Sequence, residues 1–454
     1  MEREPDRHVE VGSGDGLARR LGTRPRATAL ALFVGCLVLY HANGRPITQI
    51  DTVAAPWAAF EVVLGGSVDL SGIRYLDRFE AALVHREDGG RVSRYPPGST
   101  FVAVPFAAPF AWAYGEPLRP SRMRRFGKAV AALCCAAAIV LFAFTCREVA
   151  PGAALPATLV LAAGTTVWSV AGQALWTHGP ALLWVSLGHF LQWVVEPRAR
   201  QRGRGDAVAL AAGLAYGLAV FTRPTTGLVA LGSLAALFAV GARREAVLTA
   251  LGLAGPVALL LLYDFVQFGS LGSGGYGAEA ARFDTPVWTG VAGLLVAPSR
   301  GLLVYSPALV LAPLGWWVAR RWPRACPAQA RARALLLGWW GAALATCLLY
   351  AKWHAWAGGW CFGPRFLTET LPAWCLFFAL AVDGRARWST GRRRALAGLV
   401  ALAVLVHALG VFGHGNDWNQ RGSDPGRYFS WSDTQIEAHA REVARRLGAV
   451  LRPR

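Results

Sequence analysis

Apolar residues recur along the whole chain in runs close to the ~20 residues a helix needs to cross a bilayer. Short stretches rich in arginine, glycine and proline separate them. The pattern predicts spans at Ala27–His41, Ser99–Tyr114, Ala129–Cys146, Leu155–Val170, His178–Val195, Ala207–Phe221, Thr226–Val240, Ala246–Tyr263, Gly301–Ala319, Ala334–Tyr350, Phe366–Val382 and Ala395–Phe412. The expected fold is therefore all-α, a polytopic transmembrane helical bundle of about 11 to 13 spans. Between the first two runs, Trp57, Phe60, Glu61 and Leu64 are spaced for helices lying in the membrane interface, within a first exterior loop of residues 42–98. The first run follows Arg19, Arg20, Arg24 and Arg26 but lacks a small-residue cleavage pattern at 40–45, so it reads as a retained span. No loop is long enough for a separate domain of ordinary size. The chain divides into a tail 1–26, a membrane domain 27–412 and a polar tail 413–454.

Composition agrees with the pattern. The 454 residues are 54% hydrophobic and 16% charged, with mean hydropathy +0.36. The net charge of +19 would suggest nucleic acid on a soluble face, but it sits in short loops between apolar runs. Arginines crowd residues 3–26, 119–125, 198–204, 243–244, 320–333 and 385–394. By the positive-inside rule these loops and the N-terminus are cytoplasmic, as expected in a cytoplasmic (inner) membrane, and no nucleic-acid partner is expected. Loops 42–98, 222–226, 264–300 and 351–365 are then exterior, and 115–128 interior. One region does not close: three runs separate the arginine loops at 115–128 and 196–206, which demand an even number of crossings. Eleven or thirteen spans satisfy the parity; twelve do not. An odd count leaves the tail with Trp418, Tyr428, Phe429 and Trp431 outside, at the membrane surface. Eight cysteines without CxxC spacing, seven of them in or beside apolar runs or in a cytoplasmic loop and Cys361 alone in an exterior one, argue against a disulfide framework.

Three exterior groups carry polar residues beyond what anchoring demands. The first contains Asp51 just after span one, which reads either as a solvated helix cap or as a functional base, and continues to Arg94-Tyr95-Pro96-Pro97-Gly98. The second is Trp168 to His178; a single histidine near a span is ordinarily a packed side chain, and no second His or Cys stands at zinc spacing. The third joins Tyr263-Asp264, Arg300 to Pro307 with Tyr305, and Lys352-Trp353-His354 to Arg365. Here Arg223, Arg300, Lys352 and Arg365 oppose the arginine bias, each at a span boundary. Singly, each reads equally as snorkelling into head groups; together they point to a phosphate pocket, with Arg365 foremost.

With those residues in view the chain resembles the GT-C superfamily of integral-membrane glycosyltransferases, especially bacterial relatives of protein O-mannosyltransferases and aminoarabinose transferases. The resemblance rests on Gln49-Ile50-Asp51-Thr52, Arg94 to Gly98, Arg300 to Pro307, and Gly359 to Arg365 leading into Thr368-Glu369-Thr370-Leu371-Pro372. It implies an inverting transfer of a sugar from a polyprenyl-phosphate donor to an acceptor on the exterior side. Asp51 would be the general base. Substrate contacts would fall among Arg94, Tyr95, His178, Arg223, Arg300, Tyr305, Lys352, His354 and Arg365. The chain departs from many relatives in having no second acid between Val149 and Val195, so spacing supports no divalent metal; Asp264 could serve instead, though nothing in the sequence brings it to Asp51. The competing reading is a transporter or flippase of a lipid-linked substrate. Coupled transporters carry ionisable groups within their spans, and the runs here are almost free of them.

Overall fold

The computed structural model describes residues 25–272, 274–422 and 424–451; all but the last two residues of the expected tail 1–26 lie outside them. The helices are α1 (Pro25–His41), α2 (Ala54–Gly65), α3 (Gly98–Tyr114), α4 (Pro120–Val149), α5 (Ala154–Ala163), α6 (His178–Phe190), α7 (Gly205–Thr222) and α8 (Gly227–Ala239). They continue with α9 (Arg243–Phe268), α10 (Val287–Val296), α11 (Ala312–Ala319), α12 (Pro327–Lys352), α13 (Leu371–Val382), α14 (Thr390–Phe412) and α15 (Gln435–Leu451). One antiparallel pair of short strands, β1 (Leu83–His85) and β2 (Arg91–Ser93), lies between α2 and α3.

Among the described residues, six helical segments are long and apolar enough to cross a membrane, α4, α7, α9, α12, α14 and the stretch Arg365–Arg387 around α13. The outward face of α9 is apolar, with Leu251, Leu259, Leu262, Phe265 and Val266 all exposed. Such a surface is stable only against lipid. The chain is a multi-pass integral membrane protein.

Inside lipid, apolar burial between helices contributes little, so association rests on close packing and interhelical hydrogen bonds. Both are visible. A side chain at Gly213 would collide with the Thr249 carbonyl, and one at Gly252 with that of Leu210, so α7 and α9 touch backbone to backbone. Within the bundle, Trp339 Nε1 donates to Ser233 Oγ at 2.9 Å, Ser233 Oγ to the Tyr216 hydroxyl at 3.1 Å, and that hydroxyl to Gln192 Oε1 at 2.8 Å.

Contacts sort the loops onto two ends. At one end, Arg198 pairs with Glu148 at 3.0 Å, Arg200 with Glu245 at 2.9 Å, Arg331 with Glu196 at 3.1 Å, and Gly152 abuts Asp383. At the other, Asn43 donates to Gln173 at 3.0 Å, Arg45 to the His414 carbonyl at 2.8 Å, and Arg94 to Glu279 at 2.6 Å.

This assignment corrects two expectations. The apolar run Ser99–Tyr114 is not a span. Its helix α3 packs on α2, and the chain re-enters α4 at the same end. There Phe126 meets Phe60 with ring centroids 5.4 Å apart, Arg124 donates to Tyr75 at 3.0 Å, and Lys128 Nζ donates to the Arg45 carbonyl at 2.7 Å. Residues 115–128 therefore share an end with 42–98 rather than opposing it. Removing that one run restores parity. The passes between ends become α1, α4, α5 with its continuation to Ala171, α6, α7, α8, α9, residues 302–319, α12, α13 and α14, an odd set. The α5 pass ends in a π turn at Val167–Ala171, a local widening of the helix.

Candidate active site

At the loop-rich end a cavity of about 340 Å³ opens between the first loop, residues 269–286 and residues 353–366. Its chemistry begins at Asp51, set in a 3-10 turn, Ile50–Thr52, directly after α1 and its short link. Gln49 holds the turn: its N–H donates to Thr52 Oγ1 at 3.1 Å while that hydroxyl donates to the Gln49 carbonyl at 2.7 Å. Asp51 Oδ1 accepts from the Tyr95 hydroxyl at 3.0 Å, and Oδ2 is clasped by Arg365 Nη1. Burial opposes the charge on Asp51, but the Arg365 guanidinium and the Tyr95 hydroxyl together hold its carboxyl below the usual aspartate range, so it is ionised. Burial and the neighbouring Asp51 charge push the Tyr95 phenol well up, so it stays a proton donor.

The cations are held on aromatic faces. The Phe366 ring lies 5.1 Å from the Arg365 guanidinium and 5.6 Å from that of Arg223. Trp176 supports Arg365 from another side at 4.6 Å. Tyr350 stacks flat on Phe366 at 4.4 Å and its hydroxyl accepts from Arg223 Nη2. Below Arg223 sits fully buried Glu369, with one oxygen 3.1 Å from Arg223 Nε and 2.6 Å from His178 Nδ1. Such stacking orients a planar guanidinium without neutralising it. Arg365 Nε is buried and has no hydrogen-bond partner.

Of the residues singled out from sequence, the structure brings Asp51, Arg94, Tyr95, Arg223 and Arg365 onto one wall. His178 lies just beneath, joined through Glu369. His354 stands at the rim, 3.2 Å from Glu279, which also binds Arg94. Arg300 and Tyr305 go elsewhere. Arg300 is almost wholly buried, donating to Gln435, to the Gly359 carbonyl at 3.0 Å and to Asn419 at 3.3 Å. The Tyr305 hydroxyl donates to the Ser299 carbonyl at 3.0 Å. Both fasten the C-terminal segment through Gln435 and lie off the cavity wall, although Arg300 Nε, like Arg365 Nε, has no hydrogen-bond partner. The Lys352 side chain does not line the cavity; its carbonyl accepts from the Thr285 N–H at 3.2 Å.

Asp264, remote in sequence, does line the cavity, as do Tyr276 and Glu279. Tyr276 lies 6.2 Å edge-on from Tyr95 and 5.0 Å from the Arg94 guanidinium. Sequence reasoning missed these two because they sit in a glycine-rich loop without periodicity. Glu369 was visible only as a letter in a family-like segment. Among the described residues, no three His, Cys, Asp or Glu side chains converge in the manner of a metal site.

No protein-family model matches the chain, and no curated protein matches it. Among solved structures, it is similar to the archaeal oligosaccharyltransferase AglB from Archaeoglobus fulgidus, solved in complex with an inhibitory peptide and a dolichol-phosphate. That similarity has a TM-score of 0.48 at 14% identity and covers 91% of this chain. The chain spans 61% of that structure's chain.

Proposed function

We propose that the protein is a GT-C-type membrane glycosyltransferase that moves a sugar from a polyprenyl-phosphate donor to an acceptor at the loop-rich, extracytoplasmic end. The observation that carries the reading is the Asp51–Arg365 couple at the wall of a membrane-level cavity, with Arg223 held close by on the same aromatic ring. An acceptor hydroxyl is a poor nucleophile, and an ionised carboxylate within hydrogen-bond reach removes its proton as the anomeric carbon is attacked. A single displacement of this kind inverts that carbon. The departing lipid phosphate gains charge, and Arg223 and Arg365 supply preoriented donors for it.

The resting ion pair gives the sequence of events a physical order. While Arg365 holds Asp51, the carboxylate is a weak base. A donor phosphate competes for the guanidinium, and the burial already acting on Asp51 then raises its basicity once the donor is seated. In this reading the arginine-rich end, with the N-terminus, faces the cytoplasm of an inner membrane, and the C-terminal segment from Gly413 onward lies outside.

The test is a transfer assay. Purified full-length protein in lipid nanodiscs receives polyprenyl-phosphate sugars together with candidate acceptors, and released polyprenyl phosphate is measured. Release that depends on both acceptor and Asp51 supports the reading. Absence of release across donors, with donor moved between leaflets of proteoliposomes instead, would favour a flippase.

A further inference from the structure

The C-terminal segment builds a second cavity at the same end, about 620 Å³, that the proposed reaction does not use. It lies between α15, the loop from Gly413 to Arg421, and Arg45 of the first loop. Two guanidiniums converge there on a single acceptor: Arg45 Nη2 donates to the His414 carbonyl at 2.8 Å and Arg446 Nη2 donates to the same oxygen at 3.1 Å. Arg446 shares one carboxylate, Glu442, with Arg445; Arg45 has no carboxylate within ion-pair distance among the described residues. Arg421 and Arg441 complete the basic wall, each paired outward with Asp433 or Glu437, and Asp417 is the other acid lining the cleft.

Buried polar atoms without partners stand beside these cations. His439 is 2% exposed. Its Nδ1 lies 2.8 Å from the Gln435 carbonyl, which fixes the proton there, while Nε2 has no partner. His414, 5.7 Å away between ring centroids, likewise has an unpartnered Nδ1. The free Nε2 of His439 is then an acceptor, whereas His414, whose Nε2 faces the Gln49 amide donor, presents Nδ1–H; that N–H and the Arg45 guanidinium, which has no carboxylate, form an arrangement that an anion completes.

We propose that this cleft binds the phosphate group of an anionic ligand, separately from the Asp51 cavity. Two guanidiniums held on one carbonyl oxygen lie close enough together to share the oxygens of a phosphate. The site also touches the first loop: Gln49 Nε2 donates to Asn416 Oδ1 at 2.9 Å and lies 3.4 Å from His414 Nε2. Gln49 stands two residues from Asp51, so occupancy of the cleft bears on the turn that carries the acid.

The experiment titrates the full-length, detergent-solubilised protein with dioctanoyl phosphatidylglycerol, with glycerol 3-phosphate and with dioctanoyl phosphatidylcholine, reading the heat of binding by isothermal titration calorimetry. Saturable binding of both phosphatidylglycerol and glycerol 3-phosphate assigns the site to phosphate itself. Binding of phosphatidylglycerol alone assigns it to an anionic lipid head group. In either case the double variant Arg45→Gln, Arg446→Gln should weaken binding at least tenfold, and raising salt should weaken it in the native protein. Equal binding of phosphatidylcholine, salt-independent binding, or no saturable binding of any probe to the native protein overturns the proposal. Arg45→Lys, which keeps the charge, serves as the folding control and should retain binding within a few-fold.

Discussion

The two ends of the bundle both bury carboxylates against arginines, and the contrast between them separates a structural ion network from a reactive one. At the arginine-rich end, Glu196 and Glu245 are nearly inaccessible and lie between Arg200 and Arg331. Arg331 Nε donates to Glu245 at 2.8 Å and Arg200 Nε to Glu196 at 2.6 Å, and Arg331 also donates to the Gln192 carbonyl at 2.9 Å. Each acid has two cations and is almost wholly enclosed. At the loop-rich end, Asp51, Glu279 and Glu369 also meet arginines, but around a void, and an Arg365 nitrogen remains unpartnered. Charge composition does not distinguish the two ends. The cavity and the unused donors do.

Substitutions at five positions test that contrast, and the largest effect is expected at Asp51. Asp51→Asn keeps the shape and the Tyr95 contact but removes proton-accepting power, so turnover in the transfer assay should fall by about 10²- to 10⁴-fold with donor binding retained. Full activity of this variant would remove both the assigned role and much of the glycosyltransferase reading. At the opposite end, Glu245→Ala should leave activity per folded molecule unchanged. It should instead lower stability by about 3 kcal/mol, because Arg331 and Arg200 lose a buried counter-charge. Thermal unfolding in detergent measures it. A specific loss of turnover with unchanged stability would erase the distinction between the ends.

Next in size are the cavity cations. Arg223→Ala and Arg365→Ala should each weaken donor binding by roughly 1.5 to 3 kcal/mol, the value of a hydrogen bond to a charged group. Arg365→Gln adds a signature in pH. The native Asp51 carboxyl sits below its ordinary value of about 3.9, so the acid limb of kcat/KM in the free enzyme falls below that value. Removing the cation leaves burial, which favours the neutral form, opposed mainly by the Tyr95 hydrogen bond, and the limb must move upward. A limb that stays in place would show that Arg365 does not set the basicity of Asp51.

What could be read from the sequence follows the physics of each signal. Among the described residues, hydropathy placed an apolar run on each of the six helical segments long and apolar enough to cross a membrane, because a lipid-facing helix must be apolar over its length. It failed at α3, whose stretch is just as apolar but serves to pack on α2 at one end of the bundle; Pro105 and Pro109 within it were the available warning. The arginine rule failed at Arg119 to Arg125 for a related reason: these residues lie between α3 and α4, beside Tyr75 and Phe60, and not in a loop between two crossings. Asp51, Arg223 and Arg365 were legible as charges misplaced at span boundaries. Asp264 was legible as a candidate acid but not its place beside the first loop, and Tyr276 and Glu279 were not legible at all, since nothing local reports that residues 264–283 fold over that loop. Arg300 was misjudged because its partners, Gln435 and Asn419, belong to a segment whose return to the bundle no periodicity announces. The topology correction has its own check: a cysteine introduced at Arg122 should react with an impermeant maleimide from the same side as one at Glu87, and from the side opposite to one at Arg387.

The smallest expected effect is at Lys352, and it is informative because its sequence position alone would rank it with Arg365. Both are cations at the ends of long apolar runs, thirteen positions apart, on the same end of the bundle. Arg365 is nearly enclosed, stacked between Trp176 and Phe366 with its guanidinium directed at Asp51. Lys352 ends α12, where its backbone carbonyl rather than its ammonium makes the defined contact, and its side chain lies off the cavity wall. A long lysine in that position serves as an interfacial anchor, keeping its charge among head groups while its stem covers apolar surface. Lys352→Ala should therefore leave donor affinity and turnover within about twofold of the native protein, since an unengaged surface charge contributes little. A loss comparable to that of Arg365→Ala would mean that the donor phosphate reaches the end of α12, and that the binding surface extends past the wall formed by Asp51, Arg223 and Arg365.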